Sequence, residues 1–324
     1  MNQAVVELSE SSQSLLDTAH MCCARTSLAV VKASGEGLLD YLQGQVTQDI
    51  KDLSADRGLY ACALTPQGKP VADMHIMQGH GDELIMLTEA AYAEALVGRL
   101  RHYALGYQVR IGIVVDMAVI DIHGSKTDEA LHQACLPVPG NGAYATARAE
   151  DAESFCMRMA SDNGAWGVLP KSDIEDCLKR LGNAVDESGI EAARILNGSP
   201  RFGIDWDASV YPLNASLIEY QGASFDKGCY IGQEVTSRMH WRGKIKKRLY
   251  RVRLSERPDA LPCDVCTSVA VGALTSAATN AKDEVFGIGL LDIAAVESGQ
   301  KLAIEDGIVV TVLDGCGAAA IKGD

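Results

Sequence analysis

The order of strand-like and helix-like segments constrains the fold of this chain most. After a helical pattern at 12–24, residues 27–122 pass through a strand, a helix, three strands, a second helix and a strand-rich segment. These segments lie at 27–33, around Leu38, Leu39 and Leu42, at 58–64, 71–77 and 83–87, at 90–103 and at 108–122. Their order is typical of an α+β lobe with a ferredoxin-like arrangement.

A shorter set of segments loosely repeats the first. Two strand patterns and then two helical patterns follow, at 144–148, 154–160, 171–181 and 190–196. Beyond Tyr250, short apolar runs alternate with Gly and Asp, which predicts a small β-barrel or sandwich. We therefore divide the chain into a first lobe with an N-terminal helix (1–122), a second lobe (123–243) and a C-terminal barrel (244–324).

The charge balance limits the classes of partner. The 324 residues carry a formal net charge of -14, whereas nucleic-acid binding needs a basic face, so we expect no direct nucleic-acid contact. No run approaches the roughly 18 to 20 apolar residues of a membrane span, so no membrane association is expected. Residues 1–13 contain Glu7 and Glu10 but no Lys or Arg, unlike a secretory signal or transit peptide. The expectation is a soluble, cytoplasmic protein.

The cysteines are expected to be reduced thiols, most of them small core residues. The chain has 10 of them, and Cys263 and Cys266 form a CxxC pair. This pair has no second CxxC and no nearby histidine, so a closed zinc site would lack two ligands. We interpret the pair as thiols in a barrel loop and assign no metal site.

One cysteine stands in a different setting, in the stretch 226–254. Cys229 lies two residues after Lys227 and between Gly228 and Gly232, which permit backbone turns closed to other residues. A nearby ammonium lowers a thiol pKa, so Cys229 is a candidate nucleophile or metal or cluster ligand, with a small residue packed under a turn as the alternative. His240, the nearest histidine, is not placed beside it by helical register, which disfavours a Cys-His catalytic pair.

A helix-compatible segment and a basic run follow Cys229. Residues 233–241 contain no glycine, and Glu234 and Arg238 lie four apart on one helix face. The residues from Lys244 to Arg253 are rich in Lys and Arg, in patterns such as Lys-Ile-Lys and Arg-Val-Arg. This alternation is typical of the solvated face of an edge strand. The alternative is that a subset of the cations binds an anionic ligand.

Asp73 is the third candidate for chemistry. It follows a tight turn at 65–70 and is flanked by apolar residues in a strand pattern. Such a carboxylate is either desolvated and tuned for proton transfer or amine binding, or a plain surface position of an alternating strand.

Together these motifs resemble those of the folate-binding YgfZ proteins, whose mitochondrial relatives are the Iba57 iron-sulfur assembly factors. The resemblance rests on Lys-Gly-Cys-Tyr-Ile-Gly-Gln-Glu at 227–234 with Arg238 and Gly243, and on the segments at 41–49, 64–69 with Asp73, and 198–205. The wider superfamily includes the aminomethyltransferase (T-protein) of the glycine cleavage system. The resemblance implies two lobes around a central tetrahydrofolate-binding hole, plus a C-terminal barrel.

The resemblance also implies a function and a set of site residues. We predict a tetrahydrofolate-binding accessory factor for 4Fe-4S proteins, including radical enzymes that modify tRNA, with folate and iron-sulfur client or assembly proteins as partners. The predicted functional centre is Cys229 and Lys227, with Asp73. The predicted cofactor-binding residues are Gly228, Tyr230, Gly232, Gln233, Glu234 and Arg238.

The alternative is a folate-dependent one-carbon transferase in which Asp73 orients an amine. The turn at 68–73 keeps one aspartate of the pair found in the T-protein, and Asn214 stands where relatives often carry Glu. Both departures, and the cysteine octapeptide that the T-protein lacks, favour an assembly factor over an independent enzyme. A scaffold that has kept only the fold is the third possibility.

Overall fold

The structure is a computed structural model that describes residues 4–150, 154–160, 163–243, 245–304 and 307–317. Its helices are α1 (Glu10–Thr18), α2 (Leu38–Gln43), α3 (Ala90–His102), α4 (Thr127–Gln133), α5 (Ile174–Leu181), α6 (Glu187–Asn197), α7 (Gln233–Trp241) and α8 (Ile293–Glu297). Its strands are β1 (Val6–Glu7), β2 (Met21–Arg25), β3 (Leu28–Glu36), β4 (Leu59–Leu64), β5 (Pro70–Gln78), β6 (Leu84–Glu89), β7 (Gln108–Val114), β8 (Met117–His123), β9 (Thr146–Arg148), β10 (Phe155–Arg158), β11 (Gly164–Pro170), β12 (Lys247–Leu254), β13 (Cys263–Cys266), β14 (Ala270–Thr279), β15 (Val285–Asp292), β16 (Leu302–Ile304) and β17 (Val309–Gly315).

The first lobe is an antiparallel sheet in the order β4-β5-β6-β3-β7. α3 packs on it through Ala93, Leu96, Val97 and Leu100, which recur at the spacing of one helix face. β4 is buried at every position, as expected for a strand covered on both faces. The strands and helices predicted between residues 27 and 114 are confirmed, apart from small shifts at their ends, and Gly37, at positive φ, is the N-cap residue of α2. The end of the predicted strand-rich segment at 108–122 forms β8, which belongs to the second sheet.

The second lobe is an antiparallel sheet in the order β2-β8-β11-β10-β9. Its first strand comes from the N-terminal region, because Met21–Arg25 pairs along β8. The helix predicted over 12–24 is therefore wrong in its second half: α1 ends at Thr18, and the apolar run after it is a buried strand. Periodicity alone does not separate a short buried strand from a helix.

The C-terminal region is a closed six-stranded barrel. Its strands follow the order β14-β13-β16-β17-β12-β15, and β15 pairs back to β14. β12 pairs with β15 on one side and with β17 on the other, so the edge-strand interpretation of the basic run is wrong. A closed barrel has no edge, and the charges of β12 mark its outward face. Lys244, the first residue of that run, lies outside the described residues.

The predicted α+β class with two lobes and a C-terminal barrel is confirmed, whereas the domain boundaries at 122 and 243 stay a prediction. Cys263 and Cys266 are the first and last residues of β13, so they belong to a barrel strand and not to a loop. One apolar core runs through both lobes, with a second core inside the barrel. Within the described residues, no helix is long and apolar enough to cross a membrane.

Candidate functional site

A cavity of about 120 Å³ lies between the two lobes. Both five-stranded sheets and the segment after α6 contribute to its wall, which includes Tyr60, Asp73, His75, Asp121, Trp166 and Arg201. This volume is close to that of the engineered cavity of about 150 Å³ that binds benzene in another protein. The cavity is therefore large enough for about one aromatic ring, and a larger ligand would extend through its opening.

Asp73 faces this cavity from β5. Its neighbours Ala72 and Met74 are fully buried, and strand alternation turns Asp73 to the opposite face of the sheet. The Tyr60 hydroxyl donates a hydrogen bond to Asp73 Oδ2 at 2.8 Å. Burial raises the pKa of Asp73 to about 7, because the loss of water disfavours the carboxylate more than the Tyr60 hydrogen bond stabilises it. Asp73 can therefore accept or donate a proton near neutral pH.

Aromatic rings form one wall of the cavity. The His75 ring stacks on Tyr60 with centroids 4.8 Å apart and lies 4.3 Å from the Trp166 ring, which belongs to the second lobe. Tyr144 contacts the same cluster, 5.7 Å from His75. Burial lowers the pKa of His75 to about 3, so the imidazole is neutral at physiological pH. These rings give the cavity a mostly apolar, aromatic wall, the kind of surface that a planar ring packs against.

The arginines among the described lining residues are all ion-paired. Arg25 Nη1 lies 2.5 Å from Asp121 Oδ2, and both distances from Arg201 to the two oxygens of Glu89 are 2.6 Å. Arg194 Nη1 lies 2.6 Å from Asp205 Oδ2. These pairs neutralise the guanidinium groups inside the protein, so the cavity wall is not a strongly basic surface.

The Cys229 loop lies elsewhere and is anchored by Lys227. The Lys227 ammonium donates hydrogen bonds to the carbonyl oxygens of Val46, at 2.9 Å, and Gln48, at 2.6 Å. Burial lowers the pKa of Lys227 to about 8. The side chain is almost fully buried, whereas Cys229 is exposed. Lys227 therefore ties this loop to the segment after α2.

The two glycines of the motif have different roles. Gly232 has φ of +86°, and a Cβ atom there would lie 2.6 Å from the Thr65 carbonyl oxygen. Only glycine allows this close approach of the loop to the β4–β5 turn. A Cβ atom on Gly228 would meet no atom of the described residues within 4 Å. The motif is thus tightly packed at one glycine and open at the other, next to Cys229.

The remaining predicted binding residues lie on and before α7. Tyr230, Gly232, Gln233 and Glu234 line a shallow surface groove with Pro66 and Tyr103. Glu234 and Arg238 form the expected pair on one helix face, and both are exposed. His240 stacks on Phe225 at 3.8 Å between ring centroids. The helix predicted at 233–241 is confirmed, and its N-terminal half faces this groove.

The structure thus separates the predicted site residues into two places. Asp73 lines the cavity, whereas Lys227, Gly228, Cys229, Tyr230, Gly232, Gln233, Glu234 and Arg238 lie outside the set of described residues that line it. Sequence reasoning missed Tyr60, His75, Asp121 and Trp166. Alternation along β5 is a signal for His75, two residues after Asp73, but Asp121 and Trp166 depend on the pairing of β8 with β11. No group of three or more described His, Cys, Asp or Glu side chains is arranged to hold a metal ion.

Comparison with known proteins gives relatives over most of the chain. No family model matches. The chain is 26% identical to the tRNA-modifying protein YgfZ of Sodalis glossinidius over 240 residues, which covers 72% of this chain and 73% of that protein. It is 28% identical to YgfZ of Vibrio vulnificus over 268 residues, covering 82% and 77%. It is 28% identical to the mitochondrial iron-sulfur cluster assembly factor IBA57 homolog of Mycosarcoma maydis over 234 residues, covering 68% and 54%.

The fold has a known counterpart as well. The crystal structure of the glycine cleavage system aminomethyltransferase T from Bartonella henselae superposes with a TM-score of 0.82, covering 97% of this chain and 92% of that one, at 13% identity. At 13% identity, the superposition shows only that the two chains share a fold. The comparisons confirm the resemblance predicted from the motifs: over most of its length the chain is similar to the YgfZ and IBA57 proteins, and it has the fold of aminomethyltransferase T.

Proposed function

We propose that this protein is a tetrahydrofolate-binding accessory factor for the assembly or repair of iron-sulfur proteins, including enzymes that modify tRNA. The observation that carries the proposal is the central cavity, in which a desolvated carboxyl, Asp73, faces an aromatic wall between two lobes. The names of the similar proteins, tRNA-modifying protein and iron-sulfur cluster assembly factor, support the cellular role.

The cavity residues fit the ring end of a reduced folate. Tyr60, His75 and Trp166 offer flat surfaces for a bicyclic ring, and Asp73 offers a hydrogen bond to a ring nitrogen. The lining arginines are already paired with carboxylates, so the cavity does not attract the negatively charged tail of a folate. The tail is then better solvated outside the cavity.

Cys229 supports a second, separate task. It is exposed and lies outside the cavity lining, so the part of a folate that is bound inside the cavity would not contact its thiol. One thiolate does not hold a 4Fe-4S cluster, which normally takes four. We infer that Cys229 ligates iron or a cluster together with ligands from a partner protein, and this role is favoured over reaction with a folate-derived one-carbon unit.

Calorimetric titration with tetrahydrofolate tests the folate part. Wild type and Cys229→Ser should both show saturable binding, and Asp73→Asn should bind about 10 to 100 times more weakly, as for loss of a hydrogen bond to a charged group. Cys135→Ser, at the other exposed cysteine, is the matched control for the thiol change. No binding by wild type would overturn the proposal in favour of a scaffold.

Complementation tests the iron-sulfur part. In a strain that lacks its own copy, Cys229→Ser should fail to restore the activity of a 4Fe-4S client enzyme, whereas Cys135→Ser should restore it. Equal activity with the wild type and with Cys229→Ser would contradict the role of this thiol.

The pKa of Asp73 near 7 favours one alternative, a one-carbon transferase in which this group moves a proton. That function predicts that the purified protein forms methylene-tetrahydrofolate from an aminomethyl donor, and that Asp73→Asn abolishes the turnover. Saturable folate binding without turnover would exclude the transferase and leave the accessory factor.

A further inference from the structure

Asp121 is a buried carboxylate with an incomplete set of hydrogen bonds. It lies on β8 and is 1% exposed. Its Oδ2 accepts a hydrogen bond from Arg25 Nη1 at 2.5 Å, and His123 Nε2 lies 3.7 Å from the same oxygen. Its other oxygen, Oδ1, is buried and has no hydrogen-bond partner among the residues that the structure describes. A buried, unsatisfied oxygen of a charged group is costly, so this oxygen calls for an explanation.

Asp205 shows what a purely structural carboxylate looks like in the same protein. It is also 1% exposed and paired with an arginine, Arg194. Its Oδ2 accepts further from the Arg201 amide at 2.9 Å, and its Oδ1 accepts from the hydroxyls of Thr275 at 2.9 Å and Ser276 at 2.5 Å. Both oxygens of Asp205 are satisfied by the protein, whereas Asp121 has one oxygen that is not.

The position of Asp121 indicates what the missing partner is. Asp121 lines the central cavity from the second lobe, and Trp166 is its directly opposed neighbour on β11, so both side chains lie on one face of the sheet. The Trp166 ring contacts His75, which shares the cavity face of β5 with Asp73. Each lobe therefore presents a carboxyl to the same aromatic-walled space, Asp73 from the first and Asp121 from the second, while Glu89, which also lines it, is paired with Arg201.

We infer that Asp121 is a ligand-anchoring residue of the central cavity, whose Oδ1 accepts hydrogen bonds from the N–H groups of the amino-pyrimidinone edge of a pterin ring. This inference rests on the proposed folate-binding function. The edge carries a ring N–H beside an exocyclic amino group, and a carboxylate oxygen has two lone-pair directions available to such donors. Burial raises the pKa of Asp121, but the charge of Arg25 and the nearby His123 ring outweigh it and hold the pKa below the ordinary value. Asp121 therefore remains an acceptor at neutral pH.

Pterin and lumazine test the inference on the wild-type protein, because lumazine carries a carbonyl where pterin has the exocyclic amino group. Calorimetric titration should show that pterin binds at least about 10 times more tightly than lumazine, because with lumazine the Asp121 carboxylate loses the amino group as a hydrogen-bond donor. Equal affinities would overturn the inference, and would do so without any variant. Absence of tetrahydrofolate binding in the same preparation would overturn the proposed function itself and the inference with it.

The variant Asp121→Asn tests whether this residue causes the preference for pterin over lumazine. The variant should bind pterin and lumazine with affinities within about threefold of each other, since most of the charged hydrogen bond is lost. Asp205→Asn is the matched control: it also breaks a buried Arg–Asp pair but should keep the preference for pterin. If Asp121→Asn retains the wild-type preference, another group binds the amino edge and the inference fails. If it does not fold, the wild-type comparison of the two rings still decides.

Discussion

The central cavity and the Cys229 loop differ in how the sequence encodes them. The loop is one continuous stretch, with its lysine, cysteine and glycines within six residues. The cavity combines side chains from β4, β5, β8 and β11, which are up to about a hundred residues apart and meet only because two sheets face each other. A continuous motif is visible in a sequence, whereas a site between two lobes is visible only after folding.

The same comparison separates structural from chemical roles within the loop. Lys227 and Gly232 are buried or tightly packed and fix the loop to the first lobe, at Val46, Gln48 and the Thr65 turn. Gly228 and Cys229 are open to solvent. Lys227 and Gly232 therefore hold the loop in place, and the loop exposes the Cys229 thiol to solvent.

Gly232→Ala should give the largest loss of stability. The residue has positive φ, and the new methyl group would lie 2.6 Å from the Thr65 carbonyl oxygen and 2.7 Å from Leu64 Cβ. Backbone strain and overpacking together should lower the free energy of unfolding by about 3 to 5 kcal/mol. Urea denaturation measures this change.

Gly228→Ala is the control from the same motif. Its Cβ atom would lie more than 4 Å from every atom in the described part of the chain, so the change in the free energy of unfolding should stay within about 0.5 kcal/mol. Similar losses for the two variants would show that the loop is not anchored at Gly232 as described.

Much of the fold was predictable because its segments are long or strongly patterned. β5 alternates clearly, and α3 carries its apolar residues on one face, so both were placed within one residue or so of their ends. The strand Met21–Arg25 was missed because it is short, almost entirely buried and adjacent to a true helix. β12 was placed on an edge because its charges alternate, and only the closure of the barrel shows that both of its sides are paired.

The candidate site was predictable only in part for the same reason. Asp73 was identified from its place after a turn in an apolar strand, and the burial that raises its pKa follows from facing the second lobe. Asp121 and Trp166 carry no local signal, because their meeting depends on the register of β8 with β11. The motif indicated the Cys229 loop, but local spacing did not reveal that the Lys227 ammonium binds backbone carbonyls.

Asp73→Asn should change how stability depends on pH. The folded-state pKa near 7 lies above the unfolded value near 3.9, so the folded protein holds an extra proton between these values, and wild-type stability falls as pH rises from about 4 to about 7. Asn removes this titration. At pH 8 the free energy of unfolding of the variant should exceed that of the wild type by about 3 kcal/mol, and near pH 4 the difference should disappear. The estimate takes roughly 1.4 kcal/mol for each unit of pKa difference and is reduced because water in the cavity solvates the carboxylate.

Asp49, beside the Cys229 loop, supplies the contrast. Burial raises its pKa, but the Lys51 amide, the Gln43 side chain and the charge of Lys227 outweigh this and lower it. Asp49→Asn should therefore be less stable than the wild type at pH 7, by a small amount, and the difference should disappear as pH falls through the folded-state pKa. A gain for Asp73→Asn that does not vary with pH would show that its carboxyl is not held protonated.

Lys227→Met should cost about 2 kcal/mol, because the Val46 and Gln48 carbonyl oxygens lose a charged donor inside the protein. The methionine keeps most of the chain volume, so packing contributes little. Urea denaturation compares it with Lys246→Met, whose side chain is exposed and whose loss should have almost no effect. If the two variants were equally stable, the ammonium would not be the anchor of the loop.

Cys229→Ser should have the smallest effect on the folded protein and is the sharpest test of the separation between the two regions. The thiol is exposed and lies outside the cavity lining, so the free energy of unfolding should stay within about 0.5 kcal/mol of the wild type. Tetrahydrofolate affinity, measured by calorimetry, should also be unchanged, since the ring meets Asp73 and the aromatic wall instead. Loss of folate binding in this variant alone would place the thiol in the folate site, and the cavity and the loop would then be two parts of one site.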